Sequence, residues 1–517
     1  MDKANADAKP KPKSRRQQKQ DEREIKNFDD VVSGRVIIEL HEKNKKPAQA
    51  NRKGGGAGAE EQGELAAQYV RVLKFLLPGI MAMLSTIEDP RNPKRITHSL
   101  SAIVLYGILL FLSNMPSRRA ANREIGGSKL VELMDEFVPG YASMPHADTL
   151  ERLLRNVAVD ELEGQYNDIL ARFIKSDNLK ALNKGRFQVL IDGTMKFSRN
   201  RRWDEKALSR NADDPGNDSY FAYVLESALV LDNGLLLPLL TETLENGESF
   251  EGNGKQDCET KAFKRLAVRI KKLLGAGCVT IIADGLYATG PMVSLCDSFG
   301  WGYMITLKKD CLKSVWEDFE GLRKIETSNS LYAKWGERGQ EYCWSNRIEY
   351  IYGGNHKKLF LNVLSCTEVW LEKHPRKGGR PEEKRAEYAW LSSSKITSKN
   401  AFELCMLGRR RWRIENHFHV LKYDGYSLMH CFSENWNAMK GYHYLMKIAC
   451  FINSLILHNE TMQECVKAEG KKGVIKKVWN YLFLKKLSEF MEVAEQLSKH
   501  DSPKRNIIRF QKLRLIA

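Results

Sequence analysis

The chain has 517 residues, with 82 Lys and Arg against 65 Asp and Glu, a net charge of +17. That balance favours a polyanionic partner, and 42% apolar residues are enough for a large core. Ten cysteines with no Cys-x-x-Cys pair exclude a disulfide frame or zinc ribbon, and an N-terminus without an apolar stretch excludes a secretory signal, so we expect a cytoplasmic protein.

Residues 8–20 hold six Lys or Arg, no acid and two prolines. They read as a disordered basic arm, either solubilising or touching DNA. "RKGGGAGAE" (52–60) reads as a flexible linker, so residues 1–61 form arm and linker. Over 62–180 the apolar spacing is helical, and "HADTLERLLRNV" (146–157) opens on an Asp/Thr cap. The most apolar run, "SLSAIVLYGILLFLSNM" (99–115), is short for a membrane span and reads as a buried helix. We therefore expect an all-helical N-terminal domain and no membrane segment.

From 181 to 309 the pattern is α/β. "FQVLID" is a short apolar run, and "SYFAYVLESALVLDNGLLLPLLTETL" reads as two strands joined at Asn233-Gly234. An amphipathic helix follows, then the strand "CVTIIAD", a helix and the strand "GYMITLK". Residues 310–399 are rich in aromatic and β-branched residues and read as a β-rich block, with a charged loop at 372–385. Helix returns over 400–460, and 461–517 reads as a basic helical tail.

Two acids end apolar strands: Asp192 in "VLIDGTMKFS" and Asp284 in "TIIADGLYATG". The glycine after each lets the backbone turn so that the acid faces a crevice. If the strands are neighbours the carboxylates converge and call for a divalent cation, with Mg²⁺ suited to oxygen ligands. The plainer alternative is that each Asp caps the next turn.

A third acid, Glu415, lies within "RRRWRIENHFHVLK" (409–422). On a helix starting near residue 400, Arg411 and Glu415 share a face, with Lys422 two turns beyond. Ion-pair stitching of that helix is one account. Yet Arg409, Arg410, Arg411 and Arg413 exceed what one carboxylate can pair with, and the surplus points to a phosphate backbone. His417 and His419 are two apart and diverge on a helix, so a zinc role is disfavoured. Tyr287 either touches DNA or packs under its strand. Trp335 and Trp344 read as core. Glu226 and Glu242 are further acids, Glu226 being the reserve for Asp192.

"LIDGT", "IIADGLYA" and "RRRWRIENHFHVLK" resemble the DDE transposases of bacterial insertion sequences, in the branch with a Tyr-x2-Arg-x3-Glu-x6-Lys signature. Arg411, Glu415 and Lys422 match that spacing, and Gly408 stands where the signature has its tyrosine. The resemblance implies an RNase H-like mixed sheet core, begun over 181–309, interrupted by the β-rich insertion and completed over 400–460. It implies that Asp192, Asp284 and Glu415 hold two Mg²⁺ ions, with Mn²⁺ as substitute. Cleavage at the element's ends and strand transfer into target DNA would follow. Arg411 and Lys422 would bind phosphates beside Arg409, Arg410, Arg413 and Tyr287, in a homodimer on double-stranded DNA, and the alternative to a core role for Trp335 or Trp344 would be stacking on a flipped base near the element's end. The rivals are a stand-alone Mg²⁺ nuclease on the same fold and a retired transposase kept as a DNA-binding protein.

Overall fold

The computed structural model describes residues 14–32, 37–38, 57–126, 130–139, 141, 143–176, 179, 185–210, 219–247, 255–372, 382–458, 460–484 and 506–507. The chain divides into two compact units, Met1–Ala181 with Asn435–Gln511 and Leu182–Glu434 with Lys512–Ala517.

The first unit is helical. Leu100–Leu112 starts where the Ser99 hydroxyl accepts the Ala102 amide, and twelve of its residues are buried. This is the buried helix expected from the 99–115 run. The helix Trp436–Leu457, expected with the catalytic core, packs instead against Leu100–Leu112 and Ala147–Asn156. Glycine permits the close approach: a Cβ at Gly107 would lie 2.6 Å from Leu445, and one at Gly441 would lie 2.9 Å from Leu154.

The expectation of a disordered arm fails where it can be examined, because Arg15–Val32 is a helix. Phe28 is fully buried, and a Cβ at Gly79 of the helix Ala57–Leu84 would lie 2.3 Å from it. One anchored aromatic holds a helix that its charged sequence would not form alone. Residues 8–13, the loop over 373–381 and the tail over 485–505 lie outside the described residues. The expected linker is helical from Ala57, and the described tail, Glu460–Leu484, is helical with a break at Gly470 (φ +73°). Among the described residues, Leu65–Leu84 alone is long and apolar enough to cross a membrane, and most of it is buried.

The second unit is built on one ten-stranded sheet. Its strands are β1 (Phe187–Arg199), β2 (Leu208–Arg210), β3 (Ser219–Val230), β4 (Leu236–Leu244), β5 (Val279–Ala283), β6 (Gly302–Thr306), β7 (Ser330–Trp335), β8 (Arg338–Tyr352), β9 (Lys357–Glu372) and β10 (Glu382–Ser392). β3 pairs antiparallel with β1 and β4, whereas β5 runs parallel to both β1 and β6. The β4-β3-β1-β5-β6 order with those directions is the RNase H-like core. The β3–β4 hairpin turns at Gly234 (φ +84°), as Asn233-Gly234 predicts.

The β-rich block is a continuation of that sheet. β10 pairs antiparallel with β6, Trp390 opposite Thr306, and β9, β8 and β7 follow in order. One face of the sheet is covered by α4 (Ala401–Arg409) and α5 (Trp412–Tyr423), given that α1 (Glu259–Leu274), α2 (Gly290–Ser298) and α3 (Lys313–Ile325) precede them in the chain. Leu190, Ile282, Met304 and Trp344 share one apolar cluster with Ile414 and Phe418 of α5. Trp344 is therefore core.

Candidate active site

Strand register brings the first two acids together. Leu190 of β1 pairs with Ile282 of β5 in a parallel ladder. Two residues on, Asp192 and Asp284 come abreast, and both carry on the face that Leu190 and Ile282 present to α5. Asp192 does not end its strand, since β1 runs on to Arg199. It sits where the neighbouring β5 stops. The Gly193 amide donates to Asp192 Oδ1 (2.9 Å).

Asp284 does cap a turn. Its carboxylate accepts the Leu286 amide (2.8 Å) at the start of the 3₁₀ turn Gly285–Tyr287, and Lys308 Nζ lies 3.5 Å from its other oxygen. The capping and site roles are compatible, because a carboxylate has lone pairs for both.

The Asp192 carboxyl is pushed up to about 6. Burial is the largest cause; Asp284 and Glu259 add negative charge, while the Gly193 amide and Arg411 oppose them. A buried carboxylate with a second one beside it is a hard-oxygen donor pair short of positive charge. That is what a divalent cation would relieve. Among the described residues, no three His, Cys, Asp or Glu side chains stand close enough together to hold an ion.

The third acid is carried by α5. The expected single helix breaks between Arg409 and Trp412, and Arg411 caps the new helix. Glu415 therefore falls in a first turn, where the helix dipole favours a carboxylate. Arg411 Nη2 binds Glu415 Oε1 at 2.8 Å, with the arginine 14% and the glutamate 47% exposed. Arg411 also lies 4.7 Å over the Trp412 ring. Lys422 lies near enough to Asp192 for that carboxylate to act on it, although burial is the larger influence and leaves its ammonium below the ordinary lysine value. Asp284 and Arg411 line a cavity of about 390 Å³ together with Lys308, Trp316, Trp390 and the exposed Trp412.

The other arginines are spent inside the fold, which corrects the argument from surplus charge. Arg409 pairs with Glu368, itself 0% exposed, and lies between the Trp335 and Tyr388 rings at 4.9 and 4.6 Å. Arg410 binds Gln188 and lies 4.0 Å from Asp232. Arg413 donates to the Gly234 carbonyl (3.3 Å) at the hairpin turn. Tyr287 is likewise turned inward: its ring is fully buried and its hydroxyl donates to Glu259 (2.8 Å), so it presents no surface to a phosphate. Gly408 has its own explanation, since a Cβ there would lie 2.5 Å from Trp390 Nε1. The Trp390 indole occupies the room that a tyrosine would need.

His417 is buried and His419 exposed beside Asp424, as divergence on a helix requires. Glu226 lies opposite Asp192 in register and accepts the Thr241 hydroxyl (2.8 Å). Glu242 is bound by Arg265 and Arg269.

One acid escaped the sequence reading. Glu259 opens α1, and its carboxylate accepts both the Tyr223 hydroxyl (2.7 Å) and the Tyr287 hydroxyl (2.8 Å). In the sequence it looks like any acid in a first helical turn, and no short spacing ties it to Asp192 or Asp284.

Two known family models match parts of the chain. The family model described as transposase DDE domain matches residues 255–452, and the one described as DDE_Tnp_1-associated matches residues 81–168. Together they span more than half of the chain. No curated protein matches it. The chain is a DNA-binding enzyme of the transposase type, and it belongs to the DDE transposase family.

Proposed function

We propose that the chain cleaves DNA at the ends of its element and joins those ends to a target, with Mg²⁺ as cofactor. The observation that carries this is the strand register that sets Asp192 beside Asp284 under α5. Asp192 and Asp284 would hold the cation through carboxylate oxygens, and Glu415 would complete the donor set. When bound, Mg²⁺ supplies Lewis acidity that activates the attacking hydroxyl and steadies the leaving oxygen; two such ions suit an in-line displacement.

The chain's own residues supply position and charge. Arg411 and Lys422, which lie within electrostatic reach of Asp192, would hold the phosphates next to the scissile bond. Arg411 would then exchange Glu415 for phosphate, freeing that carboxylate for its site role. Arg409, Arg410 and Arg413 would serve by fixing α4 and α5 on the sheet rather than by touching DNA. Two ends must be joined in one event, so a homodimer on DNA is part of the proposal.

The test is cleavage of end-bearing duplex by the purified chain with Mg²⁺ or Mn²⁺, followed by joining of a 3′-hydroxyl donor end. Cleavage without joining would assign the stand-alone nuclease instead. Binding without cleavage, unchanged by Asp192→Ala, would assign the retired DNA-binding protein.

A further inference from the structure

Three observations converge on Glu259, on the face of the sheet away from α5. Asp192 points toward α5, so the neighbouring Gly193 faces the opposite side. A Cβ added at Gly193 would lie 2.5 Å from Glu259 Cδ and 2.6 Å from Tyr223 Cε1. Glycine is required here by what sits beneath it, and not by a sharp backbone turn. The carboxylate also takes hydroxyl hydrogen bonds from two separate elements: Tyr223 on β3, which pairs with β1, and Tyr287 in the 3₁₀ turn that Asp284 caps. Phe263, one turn along α1, packs edge-on against the Tyr287 ring (5.8 Å between centroids).

We propose that Glu259 is a positioning residue, a clamp that fixes the Asp192 strand and the Asp284 turn relative to each other from beneath. A carboxyl group has two oxygens, and here each accepts from one phenol. Tyr287, three residues after Asp284, transmits the clamp to that turn. Glu259 is not itself a cation ligand: Gly193 and the β1 backbone lie between it and the Asp192 side chain. The proposal rests on the reading of Asp192 and Asp284 as the cation-holding pair.

The experiment compares Glu259→Ala, Glu259→Gln and Tyr287→Phe in the full metal-free chain. It uses hydrogen exchange over the segments around Gly193 and Leu286, the thermal midpoint, and titration with Mn²⁺ alone. For Glu259→Ala we expect faster exchange confined to those two segments, although one is a strand and the other a 3₁₀ turn. We also expect Mn²⁺ affinity to fall about tenfold, the usual scale for an outer partner of a ligand. Glu259→Gln should restore most of both, because its amide can accept from one tyrosine and donate to the other. Tyr287→Phe, which removes one oxygen from a buried ring, should give a smaller change at the same segments and covers the case in which Glu259→Ala does not fold. Unchanged exchange at either segment, or a rise spread evenly over the chain, overturns the clamp. If the unaltered chain binds no Mn²⁺, the reading of the two aspartates fails, while the exchange comparison still decides the role of Glu259.

Discussion

The strand-borne acids and the helix-borne acid are held in different ways. Asp192 lies on β1 and Asp284 directly after its parallel neighbour β5, so the backbone ladder that ends at Leu190 and Ile282 restrains their spacing. Glu415 is carried by α5, which reaches the sheet only through side-chain packing, and its carboxylate is paired with Arg411. On the proposed function, a rigid pair with a movable third member suits a site that must admit DNA before it acts. The same contrast divides the cations. Arg409, Arg410 and Arg413 are bound within the sheet unit, while Arg411 and Lys422 remain near Asp192.

The sharpest way to break the comparison is to remove a strand acid. Asp192→Ala or Asp284→Ala should lower end cleavage by about a thousandfold or more and leave DNA affinity nearly unchanged, measured by product formation and band shift. Glu415→Ala should lose cleavage to a comparable extent, but Glu415→Asp should keep more activity than Asp192→Glu, because a movable helix tolerates a length change better than a fixed strand. Equal losses in those two conservative variants would refute the distinction.

Arg409→Ala comes next. It leaves the buried Glu368 with Arg338 and Gln340 alone, and should cost about 3 kcal/mol in denaturant unfolding. The salt dependence of DNA binding should stay as it was. A lower salt slope with unchanged stability would return Arg409 to the DNA face.

Gly408→Ala places a Cβ against the Trp390 indole and should cost about 1–3 kcal/mol, read from the same unfolding curves. Lys422→Ala should weaken end binding modestly and lower the salt slope by about one, the change expected for the single phosphate contact proposed. An unchanged slope would mean that Lys422 meets no phosphate.

The smallest effect is with pH. Burial tends to raise the Glu368 carboxyl, but the hydrogen bonds from Gln340 and Arg338 and the charge of Arg409 outweigh it and leave it below the ordinary glutamate value. A depressed acid contributes stability above its unfolded value of about 4.3 and loses it as pH falls through the folded value. Unfolding midpoints should therefore drop below about pH 4, and drop less in Glu368→Gln.

Much of this arrangement could be read from short stretches. The Asn233-Gly234 hairpin, the buried helix around 100–112 and the Arg411–Glu415 pairing at one helical turn are decided by neighbours a few residues apart. The same reading misjudged Arg15–Val32, where the deciding contact is Phe28 with the distant Gly79. It left Tyr287 open between DNA and packing under its strand, and it did not foresee the partners that Arg409, Arg410 and Arg413 find within the fold, because a cation in a sequence carries no sign of whether its anion will be a phosphate or a buried Glu368.

The sequence alone determined most of the element types within 185–309, the Asn233-Gly234 turn and the spacing of Arg411, Glu415 and Lys422, since periodicity, capping and turn chemistry act over a few residues. Only the tertiary structure decided that β5 lies beside β1, that the 310–399 block extends the same sheet, that Trp390 fills the space over Gly408, and that Glu259 lies beneath Gly193. Those outcomes depend on which distant surfaces meet, and burial and strand pairing settle that only when the whole chain has folded.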